Sequence, residues 1–274
     1  MQHILVPVDF SQTSAYALEV AATIAKKQKA TLSVIHMLGL SEAVLTKDET
    51  QEYDEAKYYM ELAKKRFKEF LNKPYLKGLK VYEIVQNYKI FSELNNVAKE
   101  HKIDLIVMGS HGASGFSGFF VGSNTEKVVR TSDVPVLVIK EQMPDFNLNK
   151  ILFGCNFDEE NILAFKKAKQ LAKLFSAAFK PIYINLPSEG FKSTLESEKH
   201  ISDFLFKAGE SDTTVAIYND YNVERGLFNY SQKNGIDAIA IPTHGRKGLS
   251  HFFVGSIGED VANHATLPVL TIKI

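Results

Sequence analysis

The amino-acid sequence predicts an α/β protein made of two similar halves, each a doubly wound sheet of parallel strands. The first observation is an internal repeat: residues 111–123 read HGASGFSGFFVGS and residues 244–256 read HGRKGLSHFFVGS, with nine of 13 positions identical. The second is that short apolar runs alternate with stretches of helical period, as expected for parallel strands joined by helical crossovers. The third is that the apolar runs show little alternation, which is typical of strands covered on both faces.

The first half contains five apolar runs that we interpret as strands, with helical stretches between them. The predicted strands are 4–8, 32–36, 81–85, 104–108 and 136–139, and the predicted later helices are 52–71, 92–100 and 123–130. The first helix follows Ser11, which can cap it, and places Ala15, Leu18, Ala22 and Ala25 on one face. Ligands bind outside the carboxyl ends of the strands in such sheets, so the residues after the first and fourth strands are site candidates.

The second half repeats this pattern in a shorter form. Its opening run at 151–157, ILFGCNF, aligns with ILVPVDF at 4–10 at an offset of 147 residues, whereas the glycine-rich segments align at an offset of 133. The difference falls in the middle of the half, where the first copy carries a long charged helical stretch. A polar linker with a proline at 144–149 predicts domains that span 1–143 and 149–274.

Composition argues against several classes of function. Lys and Arg together number 32, as do Asp and Glu, so the sequence lacks the basic excess typical of nucleic-acid-binding proteins. The single cysteine, Cys155, cannot form an intrachain disulfide, and no apolar run approaches the roughly 18 residues of a membrane span. The N-terminus enters a strand directly and does not resemble a signal peptide. We therefore expect a cytoplasmic protein with no nucleic-acid or membrane partner.

A glycine-rich loop follows the fourth strand. Its pattern, Gly109-x2-Gly112-x9-Gly122-Ser123, differs from both the Walker P-loop and the G-x-G-x-x-G fingerprint. Glycines let the backbone approach a ligand closely, and N–H groups in such loops form anion-binding concavities. Ser123 lies where the next helix begins, so its hydroxyl, the free helix N–H groups and the Thr125 hydroxyl can hold phosphate oxygens. The alternative is a connector that binds no ligand.

The same residues give the chain its resemblance to a known family. The loop pattern, the opening ILVPVDFS at 4–11 and the run DLIVMGSHG at 104–112 resemble the corresponding parts of universal stress proteins, and the resemblance extends over both halves. It implies two tandem Rossmann-like domains of the adenine-nucleotide alpha hydrolase-like type. It also implies binding of ATP, or of ADP or AMP, with a divalent metal such as Mg²⁺ bridging the phosphates.

The resemblance further assigns the nucleotide-binding residues of the first half. The adenosine would lie beside the end of the first strand and the residue after the second strand, and the phosphates would lie at the loop and the next helix. These residues are Pro7, Val8, Asp9, Met37, Met108, Gly109, Gly112, Gly122, Ser123, Asn124 and Thr125. No side chain is assigned to the metal or to catalysis.

The second half departs from this pattern. Pro242 stands where the first half has Gly109, which removes a backbone N–H and a flexible point. Asn156 stands where the first half has Asp9, which removes a negative charge. The weaker candidates for a second nucleotide site are the residues that keep their places, Gly245, Gly255 and Ser256.

An alternative role for the second half is to pair with the first. The resemblance implies that residues 136–139 and 269–272 meet in an intramolecular pseudo-dimer, and it leaves a homodimer of tandem chains open.

His111 and His244 are interpreted as residues that shape their loops, and no Cys/His spacing of a zinc site is present. Cys155 aligns with Val8, so we expect a buried, inert thiol.

Three functions follow from these observations. The preferred one is an ATP-binding regulatory protein of the stress response, with the nucleotide in the first half. The second is a slow ATP-hydrolysing enzyme, which is less favoured because the sequence has no Walker lysine and no candidate base beyond Asp9 and His111. The third is a scaffold that uses no nucleotide and binds a lipid or a protein.

Overall fold

The computed structural model describes residues 1–38, 49–86, 93–110, 123–187, 191–243 and 267–274. By their contacts they form two compact units. Unit 1 comprises the described residues of 1–111 and 134–146, and unit 2 comprises those of 112–133 and 147–274. The helix at 123–131 thus belongs to unit 2, although it lies in the first copy of the repeat. The domain limits 1–143 and 149–274 stay a prediction.

The first copy of the repeat alternates strands with helices. Its elements are β1 His3–Pro7, α1 Gln12–Gln28, β2 Thr31–Met37, α2 Glu49–Phe70, β3 Val81–Gln86, α3 Glu93–Glu100, β4 Leu105–Gly109, α4 Ser123–Thr131 and β5 Val136–Ile139. A short 3-10 turn at Pro74–Leu76 follows α2. Each predicted strand and helix of this half is present, with ends shifted by only a few residues.

The second copy has the same alternation. Its elements are β6 Lys150–Gly154, α5 Ile162–Leu174, β7 Ala178–Asn185, α6 Thr194–Ala208, β8 Ala216–Asn219, α7 Val223–Asn234, β9 Ala238–Thr243 and β10 Val269–Lys273. A 3-10 turn at Glu159–Asn161 precedes α5. The helix α6 begins at a capping box in which Ser193 and Glu196 bond each other's backbone N–H groups.

The sheet of unit 1 is parallel and doubly wound. Its strand order is β3-β2-β1-β4-β5, with Ile4 beside Leu32 on one side and beside Leu105 on the other. The chain runs outward from β1 through β2 to β3, then returns to the other side of β1 and runs outward through β4 to β5. The direction of winding therefore changes between β1 and β4, and ligands bind at such switch points.

The sheet of unit 2 follows the same plan. Its strand order is β8-β7-β6-β9-β10, and every described pairing is parallel. The point where the winding changes lies between β6 and β9. The predicted α/β fold class, with a doubly wound parallel sheet in each half, is confirmed, whereas the pairing of the two halves stays a prediction.

Burial explains the apolar runs. In unit 1 the residues Ile4, Leu5 and Val6 of β1 are completely buried, and so are Leu105, Ile106 and Val107 of β4. Consecutive residues of a strand point to opposite faces, so unbroken burial requires cover on both faces. The helix α1 supplies part of this cover by packing on β1, β4 and β5.

The helix α1 begins as its sequence predicts. Ser11 is the N-cap, and its side chain accepts a hydrogen bond from the Ser14 N–H. Lys29 closes the helix in the left-handed conformation, with φ at 53°. Within the described ranges, we find no helix with the length and apolarity needed to cross a membrane.

Candidate functional site

The carboxyl end of β1 presents an exposed carboxylate. Asp9 lies two residues beyond the strand, and its Oδ1 accepts hydrogen bonds from the Ser11 N–H at 2.9 Å and the Ser14 hydroxyl at 2.7 Å. Both donors belong to the start of α1, where free N–H groups and the helix dipole favour negative charge. The first turn of α1 therefore holds Asp9 in place at the switch point of the sheet.

Phe10 forces the chain to turn sharply after Asp9. Its φ is 63°, a left-handed conformation that is rare for a bulky residue. The Phe10 ring packs at 4.4 Å from the ring of His36 and at 5.2 Å from that of Phe67, measured between centroids. These ring contacts compensate the backbone strain, and they direct the aromatic side chain toward α2 while the backbone continues into α1.

His36 ties β2 to the same turn. Its Nδ1 lies 2.8 Å from the carbonyl oxygen of Val8, and a carbonyl can only accept, so this nitrogen carries a proton. The Val8 N–H donates to Ile35 at 2.8 Å, so β1 and β2 stay joined beyond the end of β1. Met37, a predicted adenine-pocket residue, follows His36 and is half-buried, whereas Val8 is buried.

Gly109 at the end of β4 packs directly against the start of α1. A Cβ atom on Gly109 would lie 2.4 Å from the carbonyl oxygen of Thr13 and 2.9 Å from the backbone nitrogen of Ser14. Only glycine lets β4 approach this closely. The missing side chain of Gly109 thus makes room for α1, and the predicted approach of Gly109 to a ligand stays a prediction. Asp9 and Gly109 thus meet the same helical turn from two neighbouring strands.

The remaining predicted residues divide into three groups. Pro7 is the last residue of β1 and is half-buried, and Met108 is the residue before the last in β4 and is buried. Thr125 is buried in α4, and Ser123 and Asn124 lie in the first turn of that helix. The third group lies outside the described residues. It comprises the predicted residues of the two glycine-rich loops, which are Gly112, Gly122, Gly245, Gly255, Ser256, His111 and His244.

Unit 2 repeats the turn with a neutral side chain. The Oδ1 atom of Asn156 accepts from the Asp158 N–H at 3.1 Å and from Asn161 Nδ2 at 2.6 Å. Phe157 has a φ of 58°, close to that of its counterpart Phe10. Asx turns of the same spacing therefore close both switch points, and an amide supports the turn as well as a carboxylate does.

The strand ends of unit 2 are also occupied by its own side chains. His200 on α6 donates from Nε2 to the carbonyl oxygen of Asn156 at 2.9 Å. Gly154 stands where the first half has Pro7, and a Cβ there would lie 2.7 Å from a methyl group of Leu227 on α7.

Cys155 was expected to be a buried, inert thiol. The residue is half-buried rather than fully buried, and burial raises the pKa of its thiol to about 12, which disfavours the reactive thiolate. Among the residues that the structure describes, no cluster of three or more His, Cys, Asp or Glu could hold a metal ion. The sequence did not predict the ring contact between Phe10 and His36 or the hydrogen bond from His36 to Val8. The one sequence signal for this turn was that Phe10 recurs as Phe157 in the second half.

Comparison with known proteins identifies the family. The model of the universal stress protein family matches residues 1–140 and again residues 147–273. This chain belongs to the universal stress protein family. The two matches cover nearly the whole sequence, so it is a tandem member with one family domain in each half.

Individual relatives agree with this assignment. Universal stress protein YxiE of Bacillus subtilis is 35% identical over 144 residues, 50% of this chain and 97% of its own length. Universal stress protein MJ0577 of Methanocaldococcus jannaschii is 29% identical over 161 residues, 51% of this chain and 94% of its own. A universal stress protein structure from Archaeoglobus fulgidus matches 99% of this chain and 98% of its own with a TM-score of 0.68, and its 20% identity supports the fold alone.

The close approach of β4 to α1 predicts the effect of a methyl group at Gly109. Gly109→Ala should lower the free energy of unfolding by about 1–3 kcal/mol, because the atoms in its way are backbone atoms that move only with the helix. Urea denaturation followed by circular dichroism measures the change. Pro242→Ala at the equivalent place in unit 2 is the control and should lose less than about 1 kcal/mol. An unchanged midpoint for Gly109→Ala would contradict the packing role.

The raised pKa of Cys155 predicts low reactivity. The native protein should react with iodoacetamide at pH 8 far more slowly than the protein in urea, because the thiolate is the reactive form and burial disfavours it. Mass spectrometry of alkylated protein over time gives the two rates. Equal rates in the two conditions would show that the thiol is accessible and ionised.

Proposed function

We propose that this universal stress protein is an ATP-binding regulatory protein of the stress response, with the nucleotide at the carboxyl edge of the unit 1 sheet. The observation that carries the proposal is the convergence of Asp9 and Gly109 on the first turn of α1, at the switch point between β1 and β4. In doubly wound sheets this crevice is the usual ligand site. Membership of the family adds support to a nucleotide as the ligand.

The chemistry of this edge suits an adenosine group. The Asp9 carboxylate is exposed and held by α1, so it is placed to accept hydrogen bonds from ribose hydroxyls. Val8 is buried and Met37 half-buried, and they offer apolar surface near the strand ends. The glycine loop begins at Gly109, and its backbone N–H groups would hold the phosphates. ADP or AMP would bind through the same groups, and Mg²⁺ would bind through the phosphates.

We expect no nucleotide in unit 2. Asn156 has no charge, and its side-chain oxygen already accepts hydrogen bonds from the Asp158 N–H and from Asn161 Nδ2. Pro242 removes the glycine with which the loop begins in the first half, together with its N–H donor. One nucleotide per chain is therefore the proposed stoichiometry.

A substitution at the second loop glycine tests the phosphate part of this proposal. Gly122→Asp should abolish ATP binding, because it adds bulk and negative charge where the phosphates would lie. Isothermal titration calorimetry with ATP and Mg²⁺ measures the affinity, and circular dichroism checks that the chain is folded. Unchanged affinity in a folded variant would contradict the placement of the phosphates.

The duplication supplies a matched test of Asp9. Asp9→Asn should weaken ATP binding about tenfold through the loss of a charged acceptor. It should change the free energy of unfolding by no more than about 1 kcal/mol, because Asn156 closes the same turn in unit 2. Titration calorimetry and urea denaturation give the two values. An affinity equal to that of the wild-type protein would show that the carboxylate does not contact the ligand.

A further inference from the structure

Unit 2 carries an open groove between α5, the start of β7 and the end of α6. It encloses about 620 Å³, within the range of roughly 300–1,000 Å³ that is typical of ligand sites. The buried Ala172 and the half-buried Phe179 give it apolar surface. Because Phe179 is near the start of β7, the groove lies at the opposite edge of the sheet from Asn156 and is a separate site.

Three lysines of α5 line this groove. Lys166, Lys169 and Lys173 are spaced by three and four residues, so they share one face of the helix. The Lys169 ammonium forms an ion pair with Glu210, which also lines the groove, and donates a hydrogen bond to the Thr213 hydroxyl at 3.2 Å. Lys166 and Lys173 are exposed, and neither forms an ion pair or a side-chain hydrogen bond within the part of the chain that the structure describes. The groove therefore has a surplus of positive charge.

Unit 1 fills the equivalent place with its own chain. Lys166 aligns with Glu19 of α1, at the same offset of 147 residues that relates the first strands of the two halves. The 3-10 turn Pro74–Leu76 packs on α1, and its Leu76 is buried. Burial raises the pKa of Tyr75 to about 12, and the nearby Glu19 carboxylate acts in the same direction. The turn thus covers the part of α1 that corresponds to Lys166.

Unit 2 lacks this cover because its connection is shorter. In unit 1 residues 71–80 join α2 to β3, whereas in unit 2 residues 209–215 join α6 to β8 and contain no 3-10 turn. Ala22, which is completely buried in unit 1, corresponds to the half-buried Lys169. The groove therefore corresponds to the space that a segment of the chain occupies in the first copy.

The charges on the two helices indicate what kind of segment fits the groove. Residues 71–80 lie against a helix that presents Glu19, and they contain no acidic residue and three lysines, Lys73, Lys77 and Lys80. The groove presents Lys166 in place of Glu19. Charges across an interface are arranged to complement each other, so a segment that fits the groove carries carboxylates.

We propose that this groove binds an acidic segment of a partner protein. An apolar side chain of the segment packs against Ala172 and Phe179, and its carboxylates pair with Lys166 and Lys173. Exposed ion pairs contribute little to affinity individually, whereas burial of an apolar side chain contributes more, so the segment needs both. The bound segment takes the place that the Pro74–Leu76 turn fills in unit 1. The inference does not depend on the proposed nucleotide site, which lies in unit 1.

Three peptides built on residues 71–80 test the proposal. The first has the natural, basic sequence. The second is acidic and carries Lys73→Glu, Lys77→Glu and Lys80→Glu, and the third adds Tyr75→Ser and Leu76→Ser to the second. In nuclear magnetic resonance titrations of the ¹⁵N-labelled full chain, the acidic peptide should shift the amide signals of Ala172, Lys173 and Ala177. It should bind at least about tenfold more tightly than the other two peptides.

Charge reversal in the groove provides a matched pair of variants. Lys166→Glu combined with Lys173→Glu should weaken binding of the acidic peptide about tenfold or more, and it should strengthen binding of the natural, basic peptide. Lys199→Glu combined with Lys233→Glu makes the same change of charge at exposed residues of α6 and α7, so binding should stay within about twofold of the wild-type value. Circular dichroism checks that both variants are folded.

The acidic peptide overturns the inference if it causes no shifts, if it binds no better than the peptide without Tyr75 and Leu76, or if it binds both variants equally. Light scattering and sedimentation with phosphatidylserine vesicles test two other occupants. A wild-type dimer that the groove variant makes monomeric would assign the groove to a second copy of the chain. Vesicle binding that only this variant loses would assign it to a lipid surface. Either result would overturn the assignment to a partner protein.

Discussion

Two hydrogen bonds from the start of α1 to the Asp9 carboxylate determine how the unit 1 site is built. They fix the turn that leaves β1, and that turn brings the first residues of the helix under the end of β4. Gly109 has no side chain because Thr13 already fills the space that a Cβ would need. Loss of the Asp9 side-chain oxygen, or a Cβ atom at Gly109, would therefore displace the helix, and with it the groups at the other strand end.

The second copy of the repeat shows which parts of this arrangement are shared and which are not. The turn, the left-handed phenylalanine and the parallel sheet all recur in unit 2. The charge of Asp9 does not recur, since Asn156 makes the same turn without it. The structural contacts of Asp9 thus explain an Asx residue at this position.

The sequence predicted the local structure well and the contacts of the site only in part. Strand 4–8 is observed as His3–Pro7 and helix 52–71 as Glu49–Phe70, because apolar runs and helical periods are local signals. The role of Gly109 could not be predicted, since Thr13 lies far from it in the chain and only the sheet order brings the two together. The hydrogen bond from His36 to Val8 was missed for the same reason. The glycine loops of both halves lie outside the described residues, so their predicted roles stay predictions.

The central claim is that one half of this tandem chain holds an adenine nucleotide and the other half does not. Mass spectrometry of the nucleotide released from the purified, denatured protein, with its amount per chain, tests this claim most directly. The account predicts about one adenine nucleotide per chain after saturation with ATP and Mg²⁺. Two per chain would contradict the loss of the site in unit 2. None, with no binding in a titration, would contradict the nucleotide site altogether and favour a scaffold that acts without one.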